Sequence, residues 1–531
     1  VVFLLDKIRA YSLELIRVIE SGAVHSADEL NEAKLVLCKK HGVSCMPSNA
    51  TVLSFAKKRT DALLNCLRAK PTRSLSGIAV VAIMARPYKC PGKCIYCPGS
   101  LLPGEQTPKS YTGMEPATMR ALSSGFSPKK QVESRLAQLN EGGHSTEKVE
   151  LIVMGGTFLS QPRTYQEGFM LSSINAICGS RAKSIEKARM AAEKSSTRIA
   201  GITFETRPDF CGKPEINRML RFGGTRCELG VQTIYDRVYR EINRGHSIAD
   251  VVNATALLKD SCFKVAYHYM PGLPSVSFAE DKKALKQLFT NPDFRPDNLK
   301  IYPCLVIEGT ELYRRWKLGA YEPFSTEKAV KLLSYAKGIV PRWVRIMRIQ
   351  RDIPAQLIAA GVKKSNLRQI VQDEMHAAGK KCNCIRCREA GLLSAEKNRL
   401  PDVGNAKMFV EEYEASFGRE FFISLEDRKR ECLFGFARMR IPNAPFRKEL
   451  QGNAALVREL RVFGLPLPLH ERKEHALQHR GLGTKLLMKA ELLALQGFGS
   501  KKLVVISGLG VRPYYYSLGF KSDGCFVSKA I

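Results

Sequence analysis

The chain has 531 residues, too many for one ordinary hydrophobic core, so two or three domains are expected. Lys and Arg outnumber Asp and Glu by 83 to 51, a formal charge of +32 that favours a polyanionic partner such as nucleic acid. Sixteen cysteines spread over this length, with two local clusters, argue against a small disulfide-stapled secreted domain and for metal sites in a reducing, cytoplasmic compartment.

The opening Val1-Val-Phe-Leu-Leu5 meets Asp6 and Lys7 too soon for a signal peptide, and the lack of an initiator Met predicts a natural start upstream. Nowhere is there an apolar run of about 18 residues, so no membrane partner is expected. The first segment, residues 1 to 72, should be helical: Ile8, Leu13, Leu15, Ile16 and Ile19 keep helical spacing, and Ser26 with Glu29 forms a capping box for a helix ending near Lys40. Lys57, Lys58 and Arg59 add positive charge near its end. The segment reads as a nucleic-acid-binding module or a structural cap.

From residue 73 to 375 six short apolar runs alternate with amphipathic stretches: Ile78 to Ala85, Val149 to Met154, Gly201 to Phe204, Thr225 to Gly230, Phe263 to Met270 and Asn298 to Tyr302. The intervening helical patterns include Gln131 to Leu139 and Ile248 to Lys259, so the expected class is α/β, with repeated βα units and a parallel sheet. In such folds the chemistry gathers at the carboxyl ends of the strands. Cys90, Cys94 and Cys97 follow the first run as CxxxCxxC; Gly155, Gly156 and Thr157 follow the second; Glu205 and Arg207 end the third; Gln232 ends the fourth; and Met270-Pro-Gly-Leu-Pro274 ends the fifth. A cubic four-iron cluster normally takes four thiolates, so three closely spaced cysteines after a strand leave one iron open to a substrate or cofactor. A zinc loop or unrelated thiols are the competing readings, and zinc would need a fourth ligand nearby. The triplet resembles the signature of the radical S-adenosylmethionine (radical SAM) superfamily.

Near the end of this region Arg342, Arg345, Arg348 and Arg351 recur every third residue around Trp343, a pattern that suits RNA or a solvated strand edge. The stretch 376 to 404 carries Cys382, Cys384 and Cys387 as CxCxxC, a second metal site for zinc or an auxiliary iron-sulfur cluster, or three metal-free thiols. His376 is the nearest candidate for a fourth ligand and Cys304 a remote one.

The last segment, 405 to 531, offers a strand at Leu456 to Val462, then Gln478-His-Arg-Gly-Leu-Gly483 opening a helix to about Leu495. A strand at Lys502 to Ser507 and Tyr514-Tyr-Tyr-Ser-Leu-Gly-Phe520 follow. Backbone amides at a helix start bind anions, so Gln478 to Thr484 reads as a pyrophosphate cradle. The ordered set resembles the GNAT acetyltransferases, a mixed α/β fold. In these, Gln478, Gly481, Leu482, Gly483 and Thr484 would hold the phosphates of acetyl-CoA. Glu459, Leu460, Arg461 and Val462 would pair with its pantetheine arm, and Tyr515, with Tyr514 as alternative, would face the thioester.

A partial TIM-type radical SAM barrel followed by a GNAT domain is similar to the catalytic subunit family of Elongator in a single-chain archaeal or bacterial form. The strings SYTGMEPATMRA, VMGGTF, ITFETRPDFC, NRGH, QRDIP and VISGLGVRPYYYSLGF carry the likeness from about residue 75 onward. Eukaryotic members space the first two cluster cysteines farther apart and lack CxCxxC, so the second metal cannot be essential to the shared chemistry.

The resemblance implies a 4Fe-4S cluster on Cys90, Cys94 and Cys97, S-adenosylmethionine on its open iron, an electron donor, and acetyl-CoA as carbon source. A radical drawn from the acetyl methyl would add to carbon 5 of a wobble uridine in tRNA, leaving 5-carboxymethyluridine and CoA. Gly155, Gly156, Thr157, Glu205, Arg207 and Gln232 would face S-adenosylmethionine, and Lys148 would contact acetyl-CoA from the radical domain. Lys57, Lys58, Arg59 and the arginine row would grip the anticodon stem and loop; a homodimer is a further possibility. A lysine acetyltransferase with a structural cluster and a catalytically degenerate tRNA-binding scaffold are the competing functions.

Overall fold

The computed structural model describes residues 2–69, 77–99, 107–397, 403–463 and 481–531. The alternating apolar runs form β1 (Ala79–Met84), β2 (Lys148–Met154), β3 (Arg198–Thr206), β4 (Arg226–Gln232), β5 (Lys264–Tyr269) and β6 (Asn298–Ile301). A short ribbon of β7 (Val306–Ile307) and β9 (Ile358–Ala360) flanks β8 (Arg345–Arg348). The main sheet is parallel with order β1-β2-β3-β4-β5-β6-β8, seven strands rather than the six expected. Both edge strands line one cavity, through Val80 and Ala82 of β1 and Met347 and Arg348 of β8, so the sheet curls into a partial barrel.

Alternation along each strand divides inside from outside. In β2, Val149, Leu151 and Val153 are buried in one core with Val132, Leu139, Phe169 and Ile174 of the outer helices. Each such side chain contributes about 1.5–3 kcal/mol on burial. The alternate residues Lys148, Glu150, Ile152 and Met154 therefore face the barrel interior.

The C-terminal sheet comprises β10 (Lys407–Ala415), β11 (Gly418–Glu426), β12 (Leu433–Ile441), β13 (Ala454–Val462), β14 (Lys502–Val505), β15 (Lys521–Asp523) and β16 (Phe526–Ala530). Its order is β10-β11-β12-β13-β14-β16-β15, and β13 with β14 is its parallel pair. One face packs Val457, Leu486, Leu487 and Tyr515 around the helix Leu482–Phe498. The other face sends Leu450, Ala454, Leu456, Val504 and Leu509 into the barrel core. The two sheets thus share a core. Gly508 and Gly510 lie so close to β3 that added Cβ atoms would fall 2.3 Å from the Ala200 carbonyl oxygen and 2.7 Å from Arg198 Cα.

Ion pairs reinforce this seam. Arg458 donates to both oxygens of Asp297 at 2.6 and 2.7 Å and to Glu420 at 2.7 Å; Arg440 reaches Asp260 at 2.6 Å and Glu420 at 3.0 Å. Beside it, the helices Leu367–Ala377, Ile385–Arg388 and Ala390–Lys397 bridge the sheets, with the Ile385 amide donating to the Val344 carbonyl.

The N-terminal helices Val2–Glu20, Ala27–His41, Asn49–Ser54 and Asp61–Leu67 enclose a separate core around Tyr11, Leu15, Val52 and Leu63. Both halves of the Ser26/Glu29 capping box are present. Arg68 Nε donates to the Gly143 carbonyl, docking these helices on the barrel's outer layer. No helix among the described residues is long and apolar enough to cross a membrane.

Candidate active site

Cys90, Cys94 and Cys97 lie on the loop leaving the carboxyl end of β1, partly buried. The amides of Lys93 and Ile95 donate to the carbonyls of Asn243 and Ile242 at 3.2 and 3.1 Å, tying the loop to the turn after the short helix Asp236–Glu241 that follows β4. Arg244, from that turn, donates to Cys94 Sγ at 3.5 Å, and the Ser110 amide donates to Cys97 Sγ at 3.2 Å. Burial, with Cys94 beside it, pushes the Cys97 thiol up, so a positive centre would be needed to hold it as thiolate. Three thiols with N–H donors already aimed at two of them suit a radical SAM cluster. Once bound, that cluster and its S-adenosylmethionine would supply a carbon-centred radical.

Below the loop opens a cavity of about 980 Å³ that Cys90, Gly156, Thr157, Glu205, Arg207 and Gln232 help to line. The structure thus brings together the rim residues expected from the sequence. Gly155 and Gly156 have φ of 118° and 77°, and a Cβ on Gly155 would stand 3.2 Å from the Ala85 nitrogen, so this turn requires glycine. Arg207 is clamped on Asp209 by bonds of 2.9 and 2.7 Å, while its buried Nη1 has no hydrogen-bond partner among the described residues. That atom lies 2.1 Å from where a Cβ on Gly92 would sit, directly beneath the cluster loop. Gln232 adopts φ 68° at the end of β4.

The cavity also holds His268 and Lys300, which the sequence reading passed over. Ligand atoms of Glu205, Glu228 and His268 lie within 4.8 Å of one another, a metal-like grouping, but the Lys300 ammonium already contacts Glu228 and stands 3.6 Å from Glu205. The cation seat is therefore filled by the chain itself. Burial alone would raise the Glu228 carboxyl; Lys300, His268 and Arg226 outweigh it and hold it well below the usual carboxylate range. A lysine inside the sixth apolar run and a histidine inside the fifth were the available signals. Arg244 and His246 sat within NRGH, a string valued only for its likeness.

In the C-terminal sheet, β13 pairs with β14 as far as Val457 with Val505; from Glu459 to Val462 it pairs with β12 only. The strands therefore part where the pantetheine arm was expected. Gly481, with φ 73° and no side-chain cap, opens the helix Leu482–Phe498, leaving Leu482, Gly483 and Thr484 amides at its first turn for an anion. Gln478 lies outside the described residues. A Cβ on Gly483 would stand 2.8 Å from the Tyr514 hydroxyl, so it is Tyr514 that overhangs the cradle. Tyr515 is buried in the sheet core, where burial raises its hydroxyl pKa.

At the point where the strands part sits Cys262 of the radical region, with no exposure, its thiol 3.3 Å from the Val457 carbonyl oxygen. Burial pushes this thiol up to about 12. Lys148 starts β2 at the amino end, opposite the cluster loop and on the interior face; burial lowers its pKa.

The sulfurs of Cys382, Cys384 and Cys387 all lie within 4.8 Å of one another, a donor set that fits one soft metal ion. His376 does not join them: it is exposed on the last turn of its helix, and Cys304 is buried elsewhere, beside Tyr321. The arginine row is likewise divided. Arg348 and Arg351 line the cavity, but Arg345 is spent on Glu389 at 2.7 Å, and Arg342 donates to the Arg430 carbonyl and faces Glu426 at 3.5 Å. Trp343 stacks on Tyr413 at 4.2 Å within the seam, so one face of its ring is spent on packing. Lys57 and Lys58 are exposed; Arg59 instead donates to Asn140.

Three family models match in succession: the ELP3 N-terminal domain over residues 9–75, the Radical SAM superfamily over 86–288 and the Radical SAM C-terminal domain over 296–377. Along 488 residues the chain is 50% identical to the tRNA uridine(34) acetyltransferase of Methanocaldococcus jannaschii, covering 91% of this chain and 90% of the relative. It is 41% identical to Elongator complex protein 3 of Saccharomyces cerevisiae, covering 98% and 95%. The solved Elp3 of Methanocaldococcus infernus, lacking its N-terminal residues 1–46, superposes with a TM-score of 0.77 at 45% identity, covering 86% of this chain and all of that one.

Proposed function

The chain belongs to the Elongator complex protein 3 family, and on that premise we propose that it modifies the wobble uridine of tRNA, joining an acetyl-CoA-derived carboxymethyl group to carbon 5 and releasing CoA. The relatives' names give the coarser reaction, acetyltransfer to tRNA uridine 34. The carboxymethyl product is the finer reading.

The observation that carries it is the packing of the radical domain against the acetyl-domain sheet at the point where its strands part. In ordinary amine acetylation the acceptor must reach the carbonyl where the two strands part. Here Cys262 of the radical domain stands beside that point, bonded to the Val457 carbonyl and wholly buried. That contact sets the radical domain beside the cleft, an arrangement that favours an acceptor delivered through the barrel over a lysine of another protein. The interior face of β2 likewise favours delivery into the barrel: Lys148 and Glu150 lie on it, on the amino side of the cavity-lining Ile152 and Met154. Glu150 feels Arg226 and Arg461 from the two domains.

The chain's own residues then have distinct tasks. Arg207 and Gln232 orient a nucleoside-bearing ligand at the rim; Lys300 and His268 present donors to the floor of a cavity large enough for a base. Arg348 and Arg351 mark the mouth for a polyanion. The barrel walls surround the cavity on its sides, and a carbon radical and an intact thioester both require that water be kept from it. We assign zinc to Cys382, Cys384 and Cys387 as a clip on the seam between the sheets. Mass spectrometry of an anticodon stem-loop after anaerobic turnover tests the reading. A carboxymethyl mass on the wobble uridine is expected; acetylated lysine with unmodified RNA overturns it.

A further inference from the structure

We propose that Arg244 is a positioning residue that sets the redox poise of the cysteine loop: by donating to the Cys94 sulfur it makes the bound cluster easier to reduce. The inference rests on the reading of Cys90, Cys94 and Cys97 as a 4Fe-4S site.

Arg244 is 7% exposed, and its guanidinium is held from two sides. Its Nη2 donates to the Gly230 carbonyl at 2.7 Å and its Nη1 to Cys94 Sγ at 3.5 Å. A Cβ on Gly230 would come within 2.6 Å of Nη2, so the glycine in β4 is what admits the side chain. The turn that carries Arg244 also accepts the amides of Lys93 and Ile95, so donor and cysteine loop share one backbone frame. The distance from cation to sulfur is thus fixed by β4 and the loop together, independently of any bound ligand.

Reduction adds one negative charge to a centre already surrounded by thiolates. A buried cation and its N–H at one sulfur favour the more negative state and raise the potential, since hydrogen bonds to sulfur, net charge and exposure are what tune such clusters. Charge-assisted bonds are roughly twice as strong as neutral ones. Burial keeps the field of this arginine from being screened by water.

The test uses full-length wild type, Arg244→Gln and Arg244→Lys, each reconstituted anaerobically, with iron and sulfide analysis and an EPR-monitored redox titration without S-adenosylmethionine, acetyl-CoA or RNA. Gln keeps a donor for Gly230 but removes the charge. At the wild-type midpoint its reduced-to-oxidised ratio is expected to fall about tenfold, equivalent to about 59 mV for a one-electron couple. Lys keeps the charge but loses one of the two donors, and a smaller fall, about threefold, is expected. Full iron content with an unchanged midpoint in Gln overturns the inference. If Gln does not accumulate as a folded cluster protein, an unchanged midpoint in Lys overturns it equally. Absence of a four-iron cluster from the wild type overturns the cluster reading itself, and this inference with it.

Discussion

Asp297→Ala should unfasten the two halves of the molecule. Asp297 is fully buried and receives both terminal nitrogens of Arg458 at 2.7 and 2.6 Å and the Val265 amide at 2.8 Å, with Arg438 at 3.5 Å. Burial opposes its charge, yet Arg458 and Arg438 hold the carboxyl far below the usual range. Two charge-assisted bonds at about 1.5–3 kcal/mol each and one amide bond near 1 kcal/mol are lost, a gross 4–7 kcal/mol. Glu420 still neutralises Arg458 at 2.7 Å, so the net cost should be about 3–5 kcal/mol, the range for breaking one side of a buried pair. Urea unfolding followed by Trp fluorescence is the assay, because Trp343 stacks on Tyr413 at 4.2 Å across the seam. The Trp343 transition should move to lower urea by that amount. A loss below about 1 kcal/mol would refute the view that this lattice holds the sheets together.

The acetyl cradle gives a double-variant test: Gly483→Ala should weaken acetyl-CoA binding about fivefold by displacing the Tyr514 hydroxyl, now 2.8 Å from the new methyl position. In a Tyr514→Phe background the same change should cost almost nothing, and additive losses in calorimetry would count against the geometry. His246 is pushed down to about 2 by burial and by Arg244 and Arg207. The folded state therefore binds fewer protons between pH 2 and 6.5, and stability is lost as pH falls below 6.5; at pH 5 the loss is about 2 kcal/mol. His246→Phe should lack that component when urea midpoints at pH 7.5 and 5 are compared, and equal losses in both proteins would contradict the assignment. Cys384→Ser should remove about one equivalent of zinc per chain and leave the reconstituted iron unchanged. Elemental analysis showing both metals lost, or neither, would sink the two-site account.

Much of the frame is written in local patterns. The first six strands, the Ser26/Glu29 cap and the helix after Gly481 appear where periodicity and capping chemistry require. The rim is legible for the same reason: a parallel sheet sends strand-end residues to one face, so Gly156, Glu205, Arg207 and Gln232 converge. What escaped is long-range pairing. β8 hid behind its arginines: half-buried Arg345 is paired with Glu389, and the preceding Arg342 with the Arg430 carbonyl and Glu426, partners far away in sequence. The glycines of VISGLG entered the sequence reading only through the family likeness; Gly508 and Gly510 are required by the close passage of β3. His376 has a plausible spacing from the linker cysteines, yet its helix turns it outward. Tyr515 and Tyr514 are adjacent in sequence; only the packing shows which one overhangs Gly483.

The most direct measurement follows the acetyl methyl. The protein is incubated anaerobically with dithionite, S-adenosylmethionine, methyl-deuterated acetyl-CoA and an anticodon stem-loop bearing the wobble uridine. Deuterium should appear in 5′-deoxyadenosine, with CoA release dependent on RNA, and Cys94→Ala should abolish both. Release of CoA with no deuterium in 5′-deoxyadenosine would contradict the account.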